Sequence, residues 1–201
     1  SYSSIPVIVP INDNGDYIVS WGQDSGNGYI LNGYTQKFYS DGSFDPAMSL
    51  GSMNQSTLDV EQVGDLTVYT WQNVNSVYAK VLNSEGTSVA NLSLGGGSSP
   101  IVTLLEDGGY TLSWSTSTAS SSVMLFDSNS DQIGDKQTIA LKSESVYDIG
   151  NGQYVVAGNA NNVMKIAIFD ENNELLANSP LIVSSSSSTY YNDNPDIISL
   201  S

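Results

Sequence analysis

The sequence predicts an all-β fold: four-stranded repeat units arranged as propeller blades, whether closed or as a partial, open array. Three observations carry this. One strand motif recurs four times, the segments around it alternate apolar and polar residues at period two, and no stretch carries the apolar stripe of a helix.

The motif is a Gly- and Asp-rich turn followed by a strand ending in Trp, first seen as Asn14-Gly15-Asp16-Tyr17-Ile18-Val19-Ser20-Trp21. It returns as Gly64-Asp65-Leu66-Thr67-Val68-Tyr69-Thr70-Trp71 and as Asp107-Gly108-Gly109-Tyr110-Thr111-Leu112-Ser113-Trp114. In the fourth copy, Asn151 to Gly158, a glycine stands where the Trp belongs. A large ring at this position is expected to pack between adjacent blades.

An apolar opening strand precedes each copy, at 6–11, 58–63, 100–105 and 145–149, and a fifth occurs at 196–200. Third strands are expected at Tyr34 to Phe38, Val77 to Leu82, Val123 to Phe126 and Lys165 to Phe169, each running into an acidic turn. Fourth strands follow around Met48 to Leu50, Val89 to Leu94, Gln137 to Leu141 and Leu181 to Val183. Four strands in roughly 45 residues is the period of a propeller blade, which cannot bury both faces alone. The chain therefore reads as a single repeat domain, 1–201, with units at 5–54, 55–98, 99–143 and 144–189, and 190–201 beginning a further unit. The Ser-rich stretches 115–122 and 184–189 read as flexible loops.

Composition narrows the function. The 201 residues carry 21 acidic and 5 basic side chains, a formal charge of −16, and every basic residue is a lysine. With no basic stripe the field repels polyanions, so nucleic acid is not expected as a partner. No apolar run is long enough for a membrane-spanning helix, so membrane insertion is not expected either. His, Cys and Arg are absent, which removes the commonest general base, the thiol nucleophile and the usual oxyanion clamp. An enzyme is accordingly not expected.

The pattern of Pro, an apolar run, Leu-x-Asp-Gly-Gly-Tyr-x-x-x-Trp and then a strand such as Tyr34 to Gly42 resembles the propeller-like repeats of large bacterial surface proteins and RTX-type adhesins. The resemblance covers nearly the whole chain. It departs at Gly158, and no Gly-Gly-x-Gly-x-Asp nonapeptide occurs. It implies a secreted or cell-surface location and a non-catalytic adhesive or spacing role in a larger protein. The alternative is a lectin-like or peptide-binding domain with its ligand in the loops at one end of the array.

Two sets of residues could carry binding. Asp127, Asn129, Asp131 and Asp135 alternate oxygen ligands as a calcium loop does, and Asp170, Asn172 and Glu174 repeat the alternation in the fourth unit, so calcium is the one expected cofactor. Hairpin turns built on Asx hydrogen bonds give the same pattern. Tyr29, Tyr34, Tyr190 and Tyr191 lie beside Asn and Asp, a mix suited to stacking on a sugar, so a glycan or protein ligand is expected there. Finally, an opening strand at 196–200 without a partner is a template for self-association through edge strands.

Overall fold

The computed structural model describes residues 6–24, 26, 30–54, 57–161, 163–176 and 181–185. They form sixteen strands in four antiparallel sheets of four, each built from consecutive strands in simple meander order. The first sheet holds β1 (Val7–Pro10), β2 (Tyr17–Asp24), β3 (Ile30–Phe38) and β4 (Met48–Asn54). The second holds β5 (Asp59–Val63), β6 (Leu66–Asn73), β7 (Ser76–Asn83) and β8 (Ser88–Gly96). The third holds β9 (Ser98–Leu104), β10 (Tyr110–Ser117), β11 (Ser120–Phe126) and β12 (Gln132–Ile139). The fourth holds β13 (Lys142–Gly150), β14 (Gln153–Ala160), β15 (Val163–Phe169) and β16 (Leu181–Ser185).

Each sheet is a propeller blade, and its strand order matches the repeat read from the sequence. The chain divides into two compact units, Ser1–Pro100 and Ile101–Ser201, each built around two blades. In the first unit, Leu31 and Met53 of the first blade pack with Val60, Tyr69 and Trp71 of the second. In the second unit, Leu125 and Ile139 pack with Tyr154, Val156 and Phe169.

The motif strand is the second strand of every blade. Trp71 is buried and its indole N–H donates to the Ser52 carbonyl of the neighbouring blade at 3.0 Å, so its ring does lie between blades. Trp114 is buried too, whereas Trp21 is half-buried and stacks on its cross-strand partner Tyr34. At Gly158 a Cβ would overlap the Lys142 carbonyl, and Leu141 Cδ1 lies 3.0 Å from where it would sit. The fourth copy lacks a Trp because neighbouring chain already fills its place.

One expected loop proves to be strand. Residues 115–117 end β10 and 120–122 start β11, with only a two-residue turn between them and with Ser115, Ser121 and Ser122 buried. Serine is small enough to enter the packed space, and Ser121 Oγ accepts the Ser143 amide at 2.6 Å. Of the second Ser-rich stretch, 184 and 185 belong to β16, while 186–201, with the fifth opening strand, lie outside the described residues.

Candidate binding cleft

Register decides where space opens in the first unit. In three blades the Tyr four residues before the Trp position stands opposite a Phe on the third strand: Tyr17 opposite Phe38, Tyr110 opposite Phe126 and Tyr154 opposite Phe169. The rings stack in all three, with centroids 5.3, 5.0 and 4.9 Å apart and planes within 8°. In the second blade the same two positions hold Thr67 and Leu82. Both face the first blade, and next to them lies a cavity of about 550 Å³.

The floor of this cleft is buried and largely apolar: Ile18, Tyr69 and Leu82, with Thr35 between them. The Tyr69 hydroxyl and Thr35 Oγ1 are 3.1 Å apart, and Ser20 donates to Thr35 at 3.0 Å. This chain fixes the Tyr69 ring, and burial raises its pKa. The walls come from turns at one end of both blades. Met48 leans on Gly86, its sulfur 3.2 Å from where a Cβ would stand. Three carboxylates, Asp45, Asp65 and Glu85, are exposed around the mouth, against one ammonium, Lys37.

The second unit closes the corresponding end. Tyr154 and Phe169 are fully buried there, and the Tyr154 hydroxyl donates to Asn173 Oδ1. Asn173 in turn donates through Nδ2 to the Asp135 carbonyl of the adjacent blade at 2.6 Å. Asn173 is itself buried, although it belongs to a turn.

The expected calcium turns are built as Asx turns. Asp127 Oδ1 accepts the amides of Asn129 and Asp131, both at 2.9 Å, and Asp170 Oδ1 accepts those of Asn172 and Glu174 at 2.9 Å. The Asp131 amide above all holds the Asp127 carboxyl below its usual range, and the Glu174 amide does the same for Asp170. Asp135 lies beyond the first turn, in β12, and contributes its backbone carbonyl to Asn173. Among the described residues no three carboxylates gather as a metal site requires.

Of the four tyrosines expected in binding loops, Tyr34 is a mid-strand residue of β3, half-buried and stacked with Trp21 at 5.8 Å. A strand position explains it: the ring faces its cross-strand neighbour. Tyr29, Tyr190 and Tyr191 lie outside the described residues. The sequence reading missed the cleft because its signal is a pair of substitutions, Thr67 and Leu82, on different strands.

No protein-family model matches the chain, and no curated protein does. Solved structures do. The chain is similar to the Dos1 propeller, with 13% identity, a TM-score of 0.61, and 92% of this chain covering 48% of that one. A eukaryotic initiation factor matches at 15% identity and a TM-score of 0.59, over 94% of this chain and 45% of that one. An arabinoxylan arabinofuranohydrolase of glycoside hydrolase family 43 from Bacillus subtilis matches at 10% and 0.47, over 87% and 51%.

The fold is a β-propeller fold. At these identities the likeness to the Dos1 propeller and the initiation factor shows that and nothing finer, and the chain spans about half the length of the three structures just named. The expected role as an adhesive or spacing module of a bacterial surface protein, with its lectin-like or peptide-binding alternative, is corrected here. The likenesses that carry weight are the Dos1 propeller and a eukaryotic initiation factor, and neither is an RTX-type surface repeat. The resemblance holds for the propeller architecture alone.

Proposed function

We propose that this chain is a non-catalytic β-propeller segment that binds a small molecule between its first two blades. The observation that carries the reading is the replacement of a stacked Tyr–Phe pair by Thr67 and Leu82, which leaves a cavity of about 550 Å³ over a buried floor. That volume falls within the roughly 300–1,000 Å³ of small-molecule sites, and the mix of apolar floor and polar mouth is their usual lining. The non-catalytic part is supported by composition and by placement. The chain has no imidazole or thiol, and the carboxylates at the mouth are exposed, without the buried acid that acid–base chemistry at neutral pH uses.

The test is a fragment screen by ligand-observed NMR on the parent chain and on a Thr67→Tyr/Leu82→Phe variant, which restores the repeat's aromatic pair. Fragments that bind the parent and not the filled variant are the expected result. Identical hit sets for the two proteins would refute the cleft. Turnover of aryl glycosides, lost on filling, would refute the non-catalytic part.

A further inference from the structure

We infer that the ligand of this cleft is a small organic cation, an apolar body carrying a primary ammonium or guanidinium group; the inference rests on reading the cleft as a binding site. The polar groups at the mouth differ in how far they are already engaged. Two of the amide donors there are partly engaged: Gln36 Nε2 donates to the Asp45 carbonyl at 2.8 Å, and Gln62 Nε2 to the Gly64 carbonyl at 2.7 Å. The Thr67 hydroxyl donates to Gln62 Oε1 at 2.9 Å.

The acceptors are not engaged in the same way. The carboxylates of Asp65 and Glu85 have no hydrogen-bond or ion-pair partner among the described residues, and Asp45 keeps one carboxylate oxygen beyond the one that accepts the Tyr39 hydroxyl. The nearby cation, Lys37, is held over the Tyr39 ring, its Nζ 5.0 Å from the centroid. A ligand matching this mouth brings donors and positive charge, and the −16 field of the chain concentrates such ligands at its surface. An inorganic ion would leave the floor of Ile18, Tyr69 and Leu82 uncovered. An apolar body covers it, removing that surface from water.

Three probes of one shape separate the possibilities: 2-phenylethylammonium, 2-phenylethanol and 3-phenylpropanoate, titrated by NMR into the parent chain. The ammonium is expected to bind about tenfold tighter than the alcohol, with no binding of the carboxylate. An Asp65→Asn/Glu85→Gln variant should lose that preference, about fivefold or less per carboxylate, and keep its affinity for the alcohol. Thr67→Tyr/Leu82→Phe should lose both ligands. Equal affinity for ammonium and alcohol in the parent chain overturns the cation while leaving the cleft standing. Binding of no probe, or ammonium binding that survives filling, overturns the cleft itself.

Discussion

The two units solve one packing problem with their bulk at opposite ends. In each, the second strand of the later blade lays its residues against the earlier blade. The first unit places Trp71 at one end of that strand and Thr67, with Leu82 opposite it on the next strand, at the other. The second unit has Gly158 where the Trp would be, and the stacked Tyr154 and Phe169 at the far end. In the first arrangement a ligand-sized cavity lies beside the small pair. The comparison teaches that an interface between blades must be filled at enough points to hold, and that the site left small is where a binding cleft can form without loss of the fold.

If this is right, the second unit can be made to resemble the first, at a cost. Tyr154→Thr/Phe169→Leu removes two fully buried rings and should destabilise the fold by about 3–5 kcal/mol, read by denaturant unfolding. A loss under about 1 kcal/mol would mean that the aromatic pair does not hold this end closed.

A smaller effect is expected from the turn that seals it. Asn173→Ala breaks the link from Tyr154 to the Asp135 carbonyl and leaves buried polar groups unsatisfied, a cost of about 1–3 kcal/mol. The same region sets an alkaline limit. Burial raises the Tyr154 pKa above its ordinary value, so the folded state keeps a proton that the unfolded chain releases near pH 10. Stability is therefore full below about pH 10 and falls above it, and Tyr154→Phe should flatten that alkaline limb. An unchanged limb would place the titration elsewhere.

The smallest effect lies in the acid range. The carboxyls of Asp127 and Asp170 titrate below 3.8 when folded, chiefly because backbone amides hydrogen-bond to their charged forms. Their contribution is present above that value and fades as pH falls through the folded pKa. Asp127→Asn/Asp170→Asn keeps an acceptor for the amides but loses the charge, and should soften the acid limb through a small drop of the melting temperature at pH 7 that vanishes at low pH. Because these oxygens already cap their own turns, millimolar calcium should move the melt little. A rise of several degrees, lost in the double variant, would restore the turns as calcium sites.

Much of the architecture was legible in the sequence, because blade period, turn and strand are written locally. Gly-Asp turns and alternating strands fall within eight residues of one another, and the Trp position marked the second strand correctly in all four blades. The cleft was not legible in the same way. Thr67 could be aligned with Tyr17, Tyr110 and Tyr154, but its meaning depends on Leu82, which only the strand register places opposite it. The acidic turns read two ways for a physical reason: Asp-x-Asn-x-Asp is the alternation of a calcium loop and also of an Asx turn, and Asp127 and Asp170 each give one carboxylate oxygen to the amides of their own turn. Tyr34 was read by its polar neighbours, whereas its partner is Trp21 across the strand.

The measurement that bears most directly on the account is the thermal stability of Thr67→Tyr/Leu82→Phe, with no ligand present. If the space beside Thr67 and Leu82 is open, two larger rings enter it and stack as Tyr154 and Phe169 do, and the melting temperature stays level or rises, a gain of up to about 1 kcal/mol. If that space is already packed, the same rings force strain of about 1–3 kcal/mol, and a melting temperature several degrees below the parent's would contradict the cleft.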